Sequence, residues 1–301
     1  MRRLAAFVMS GPAQAVAVVV LTAVGGVLFP PIALLSAAAV ALVVLRHGLN
    51  QGLIVAGWSA LVLAVLAGLA TGTPSAAVAG LLYAAIQWLP TIVVALVLRQ
   101  TASWRNVMTG LTLFAVAGVI GVHLWVPDIT EKWLDVLQRS VSGLLQRAGM
   151  SPMEVSAAIE RAAHYATGVF AMSFVLSVAL SLMLARAWQA QLYNPGGFRD
   201  EYTSWRLSYW LAGVAVLLVA LVLLMQNDML IELAMVVLTP FLLQAIGLIH
   251  GVVRQTGISV GWLVGMYVLL VLAPPQMGSL LAAVGVADSF TDLRGRFGRG
   301  A

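Results

Sequence analysis

The feature that most limits what this chain can become is a series of apolar runs, most of them about as long as a lipid bilayer's hydrocarbon core is thick. They extend from about Gly11 to Phe29, Ile32 to Leu45, Gly52 to Ala70, Ala76 to Leu98, Val107 to Val126, Tyr165 to Ala185, Leu207 to Met225, Leu230 to His250 and Ser259 to Ala273. A helix rises about 1.5 Å per residue, so roughly 20 apolar residues cover the roughly 30 Å of hydrocarbon. Strands of a membrane barrel instead alternate over about 10 residues, a pattern these runs lack. In lipid, backbone polar groups find no water and must bond within the protein, so such runs become helices. Charged residues make up 9% of the chain, against about 25% in a soluble domain. The expected fold is all-α, a polytopic transmembrane helical bundle of eight or nine spans.

Prolines and arginines place the breaks and the sides. Pro30-Pro31 ends the first run, Arg46-His47-Gly48 the second, Thr71-Gly72-Thr73-Pro74 the third, and Pro127 the fifth. Met1-Arg2-Arg3 precedes a long run followed directly by others, so it reads as the start of an uncleaved first span and not of a signal peptide. With Arg2 and Arg3 inside, successive crossings bring Arg46, Arg99 and Arg105 to the same side, as the positive-inside rule requires. After Ser259 to Ala273, a plain crossing would leave Arg294, Arg296 and Arg299 outside. A chain reversed by Pro274-Pro275, with Gln276 to Val286 returning, keeps them inside, and that hairpin is expected. The protein is thus read as a multi-pass bacterial inner-membrane protein with a cytoplasmic N-terminus.

Three regions follow in chain order. Residues 1–127 form an N-terminal membrane half, 128–164 an external segment, and 165–301 a C-terminal half with a joint at 186–206 and a basic tail. In the external segment Ile129, Trp133, Val136, Leu137, Val141, Leu144 and Leu145 recur at three- and four-residue spacing, which makes an amphipathic helix lying on the outer surface. Ser151-Pro152-Met153-Glu154 is a capping box with proline at the first helical position. The helix it starts is expected to run on into the sixth span.

The joint reads R-A-W-Q-A-Q-L-Y-N-P-G-G-F-R-D-E-Y-T-S-W-R from Arg186 to Arg206. Asn194-Pro195-Gly196-Gly197 must stop the arriving helix, because proline fixes φ and glycine allows positive φ. Phe198 to Trp205 can then restart as a short helix. Arg186, Arg199 and Arg206 against Asp200 and Glu201 leave the segment net positive, and its tryptophans and tyrosines suit a headgroup boundary on the cytoplasmic side.

Gln191 to Arg199, followed by Trp205-Arg206-Leu207, resembles the joint of the YybS-like family of bacterial multi-span membrane proteins, a family of unknown function. Gly261-Trp262-Leu263-Val264-Gly265 and Gly285-Val286-Ala287-Asp288 with Arg294 are similar to it too. That family looks distantly like the substrate-binding S-components of energy-coupling-factor transporters. The resemblance implies a solute-capture subunit working with a coupling membrane subunit and ATPases. S-components dock their coupling subunit through an alanine-xxx-alanine face, and Ala13 with Ala17 matches it; ordinary packing between helices explains the same spacing. Ala33, Ala37 and Ala41 repeat it.

No phosphate-binding loop, HExxH or GxSxG motif occurs, the four histidines lie far apart in sequence, and cysteine is absent. The chain is therefore read as non-enzymatic, with no cofactor and no metal. Its formal net charge of +5 is spread over the connectors, a topology signal and not a nucleic-acid footprint.

What remains is polar residues inside apolar runs. Gln87-Trp88 precedes Pro90, and Gln244 follows Pro240 by one turn; the glutamines either line a midplane cavity or bond between helices. Glu232 is read as the only carboxylate within an apolar run. It holds a cationic group or a proton, or else sits near the surface at a helix N-terminus, where negative charge is favourable. His123 and Trp125 lie at the outer end of the fifth run, as pocket or as anchor. The candidate solute site is Gln87, Trp88, His123, Glu232 and Gln244. The candidate docking face is Ala13, Ala17, Asn194, Pro195, Gly196, Gly197, Phe198, Arg199 and Arg206, with the tail from Phe290 to Phe297 attached to anionic headgroups. The competing expectation is a scaffold that recruits a partner through joint and tail.

Overall fold

The computed structural model describes residues 1–291 and 293. They form fourteen α-helices: α1 (Arg2–Val8), α2 (Pro12–Leu28), α3 (Ala33–His47), α4 (Leu49–Thr71), α5 (Pro74–Thr101), α6 (Trp104–Trp125), α7 (Ile129–Arg147), α8 (Pro152–Ala163), α9 (Ala166–Tyr193), α10 (Gly197–Ser204), α11 (Tyr209–Met225), α12 (Asp228–Thr256), α13 (Gly261–Leu272) and α14 (Pro274–Thr291). One 3-10 turn, Pro30–Ile32, joins α2 to α3, and no strand occurs among the described residues. Six helical segments are long and apolar enough to cross a membrane: Pro30–His47, α4, α5, α6, α9 and α12. A seventh is the pair α10 and α11, bent by 52°. The apolar helices α2 and α13 are shorter, at 17 and 12 residues. Large apolar side chains such as Trp58, Leu61 and Leu69 on α4 face outward, where only lipid solvates them well. The protein is an all-helical multi-pass membrane protein.

The breaks fall where turn chemistry demands. Gly72 and Gly196 adopt positive φ (69° and 94°), ending α4 and starting α10. Pro90 and Pro240 sit inside α5 and α12 without breaking them. Beside each proline a threonine hydroxyl donates to the carbonyl one turn back, Thr91 to Gln87 at 2.9 Å and Thr239 to Met235 at 2.7 Å. The expected run-on from Ser151 into the sixth span is corrected: α8 stops at Ala163, His164 and Tyr165 form a turn, and α9 begins at Ala166. At this turn the His164 imidazole lies 2.7 Å from the Asp228 carboxylate.

The capping box forms as expected, with Ser151 and Glu154 bonding reciprocally. Glu154 accepts from the Ser151 N–H at 2.8 Å and from its hydroxyl at 2.8 Å. These bonds hold its carboxyl below the ordinary carboxylate pKa. A carboxylate depressed on folding adds stability above its unfolded pKa of about 4.3 and loses it as pH falls through the lower folded value. Hydrogen-exchange protection of the first turn of α8, corrected for intrinsic rates, should therefore fall on acidification. In Glu154→Gln that protection should be independent of pH.

Tertiary packing groups residues 1–110 with 176–205 as one unit, and 111–175 with 206–301 as a second. The chain passes between them inside α6, inside α9 and after Trp205. In the first unit the connectors expected to share a side meet. Arg99 donates to the Val44 carbonyl at 3.1 Å, Gln189 to the Leu45 carbonyl at 3.4 Å, and the Arg46 guanidinium lies 4.3 Å from the centre of the Tyr193 ring. Trp104 and Arg186 both bond Glu201 in α10. The alanine repeat divides: Ala37 and Ala41 are buried, whereas Ala13 and Ala17 are exposed on α2.

In the second unit the two ends separate likewise. The start of α12 meets His123 and the turn after α8, while the end of α14 meets Arg206 and Gln244, further along α12, meets Leu207. Gly285 of α14 packs on Phe241 of α12 and Ser289 on Gln244, so residue numbers rise together and the two helices run in the same sense. The chain after Pro274 thus returns toward Arg206, as the hairpin expectation has it. On α7, Ile129, Trp133, Leu137, Val141 and Leu145 are half-buried while Val136 and Leu144 are exposed, and Trp133 donates to the Thr167 hydroxyl at 2.9 Å. The basic tail from Arg294 onward lies outside the described residues.

Candidate functional site

The candidate solute residues do not form one cluster. Gln87 and Trp88 belong to the first unit; His123, Glu232 and Gln244 belong to the second. Gln87 donates to Ser177 at 3.1 Å, and the buried Trp88 indole donates to Ser36 at 3.2 Å. These are bonds between helices. Gln244 is fully buried. Its oxygen accepts from the Leu207 N–H at 2.8 Å, and its amide donates to the Gly285 carbonyl at 3.0 Å and the Asp288 carboxyl at 2.8 Å. It ties α12, α14 and the entry to α11 together. Asp288, 0% exposed, corrects the expectation that Glu232 is the lone carboxylate in an apolar run.

The candidate docking residues are split too. Pro195, Gly196, Phe198 and Arg199 line a cleft of about 550 Å³ with Arg2 and Gln191. Asn194 folds under Gly197, whose N–H bonds the Asn194 carbonyl at 3.1 Å. Arg206 belongs to the second unit, where its guanidinium lies 3.5 Å from the Asp288 main-chain carbonyl.

His123 and Glu232, distant by 109 positions in sequence, do come together: Nε2 lies 2.6 Å from the carboxylate. Glu232 is 1% exposed in the second turn of α12, so it is near a helix N-terminus and buried within the protein. Its burial has a local cause. A methyl on Gly168 of α9 would lie 2.7 Å from the Glu232 Cα and Cβ, so only glycine there lets α9 close over the carboxylate's stem. A buried carboxylate is costly unless partnered, and the histidine partners it. One turn earlier on α12, Asp228 bonds His164 Nδ1 at 2.7 Å. The side chains of this outer pair are 45% and 42% exposed, those of the inner pair 21% for His123 and 2% for Glu232. Trp125 is strongly exposed, as an interfacial anchor would be.

Sequence reasoning missed Asp228, His164, Gly168 and Asp288. A signal existed for Asp228, since an acid at position i with Glu at i+4 on an apolar helix puts both on one face. Compared with protein-family models, with curated proteins and with solved structures, the chain matches none of them.

Proposed function

We propose that this is a non-enzymatic bacterial inner-membrane protein, N-terminus cytoplasmic, that binds a small cationic solute from the outer side at Glu232. The observation that carries the reading is the buried Glu232 carboxylate, balanced by a single histidine side chain that is itself partly exposed. Ionisable groups at such depth are expensive to keep and mark solute or proton pathways by default. A protonated amine would replace His123 as the carboxylate's partner when the imidazole swings aside. The six or seven long apolar segments, with the shorter apolar helices α2 and α13, support eight or nine crossings, and the apolar stripe of α7 supports its lying on the outer surface. The resemblance to S-components supports capture without ATP hydrolysis by this chain; movement of solute would then need a coupling subunit with ATPases.

The test is a thermal-shift panel of small organic amines against the purified protein. At least one amine should stabilise the native protein and leave Glu232→Gln unshifted. An equal shift in both proteins would overturn the reading, as would no shift in either. A second reading, partner recruitment at the joint, is favoured by the Arg2 and Arg199 cleft. Its mark would be an acidic protein co-purified from native membranes and lost in Arg199→Glu, without a coupling subunit.

A further inference from the structure

Two of the four histidines meet carboxylates in the second unit, and the two carboxylates sit on a single helix face. Asp228 and Glu232 are four residues apart on α12, about 6 Å along its axis. Exposure falls steeply from the outer pair to the inner one. We infer that α12 carries a proton relay, in which the exposed His164–Asp228 pair takes a proton from water and hands it to the buried His123–Glu232 pair one turn deeper.

The α9 backbone at Gly168 closes on the stem of Glu232, and His123 Nε2 sits 2.6 Å from its carboxylate, a separation at which the two share a proton. A metal is not indicated, because no group of three or more histidine or acidic side chains converges among the described residues. The transfers balance simply. One proton from water adds to the His164 imidazole, whose Nδ1–H it shares with Asp228. It then passes inward, across a gap one bridging water spans, to His123 or to the Glu232 carboxylate. The outer pair returns to its starting state and the inner pair holds one proton more.

Other ionisable groups leave this path clear. On α11, α13 and α14 the nearest are Tyr209, Tyr267 and Asp288; Tyr267 bonds His250 and Asp288 bonds Gln244, three turns or more from Glu232. On α7, Asp135 pairs with Arg139 along its own helix, and Arg161 of α8 donates to the Ala157 carbonyl. Glu160 stands one turn before His164. From α6 and α9 the groups facing Glu232 are His123 and the Gly168 backbone.

The inference rests on the proposed function only for which face is outside, and its test uses no solute. The full chain in lipid nanodiscs is followed by infrared spectroscopy while pH is lowered, then moved into D2O. A protonated-carboxyl band should appear and be absent in Glu232→Gln. Its deuteration should slow on the order of a hundredfold in His164→Ala and in the near-isosteric Asp228→Asn, the scale on which a positioned proton-transfer group acts. If no band belongs to Glu232, or if Asp228→Asn exchanges as fast as the native protein, the relay is wrong. Amine binding with unchanged exchange would leave solute capture standing without the relay, and slowed exchange without amine binding the converse.

Discussion

Replacing Gly285 by alanine is expected to destabilise the second unit by about 3 kcal/mol, at the upper end of what overpacking costs. The alanine methyl would land on the Phe241 carbonyl oxygen, 2.8 Å from its carbon and 3.1 Å from the Phe241 Cα. All three are main-chain atoms of α12, so no side-chain rotation relieves the clash and α14 must move away. Because lipid competes with protein for apolar surface, such helices hold together by close packing and hydrogen bonds, and separation forfeits both. Moving α14 would also pull the Gly285 carbonyl, Asp288 and Ser289 from Gln244. Thermal unfolding in a mild detergent should show the midpoint lowered. Gly213 provides the control, since no heavy atom lies near the place a methyl would take there, and Gly213→Ala should leave the midpoint in place. A Gly285→Ala protein as stable as the native one would show that α12 and α14 are not in this contact.

Gln244→Leu should cost more, about 4 kcal/mol, because it strips several buried partners at once. The shape is nearly kept, so cavity formation contributes little. What is lost is the acceptor for the Leu207 N–H and the donor to the Gly285 carbonyl and to the Asp288 carboxyl. Asp288 keeps the Leu293 N–H at 3.2 Å but loses the amide donor at 2.8 Å. The double variant with Asp288→Leu should regain much of the loss, since removing both members of a buried polar pair is far cheaper than removing one. Unfolding midpoints of the single and double variants measure this directly; no recovery in the double variant would mean that Asp288 is not what Gln244 satisfies. Gly285 and Asp288 both belong to the stretch that carries the family resemblance, and here they hold helices together.

The membrane character, the helix limits at Pro30, Pro74, Pro195 and Pro274, the capping box at Ser151 and the shared side of the arginine connectors were all legible in the chain. Each depends on local chemistry or on the length of an apolar run, and both are written in consecutive residues. The identity of the buried faces was not. In water an apolar stripe betrays the face turned to the core, but a helix in lipid is apolar all round. Nothing in the periodicity of α12 separates buried Phe241 from any other apolar position. Hence the bond from Gln87 to Ser177, the bond from Gln244 to Asp288 and the closing of α9 over Glu232 at Gly168 could not be read from the chain.

By itself, then, the sequence determined that these segments are helices, where they end, and which connectors lie together, because backbone satisfaction in lipid and the placement of arginine permit little else. Only the tertiary structure decided that His123 meets Glu232, that His164 meets Asp228 one turn away, and that Asp288 is buried beneath Gln244. Such pairings are made by helices brought close at glycines far apart in the chain, and no local rule of propensity or spacing specifies them.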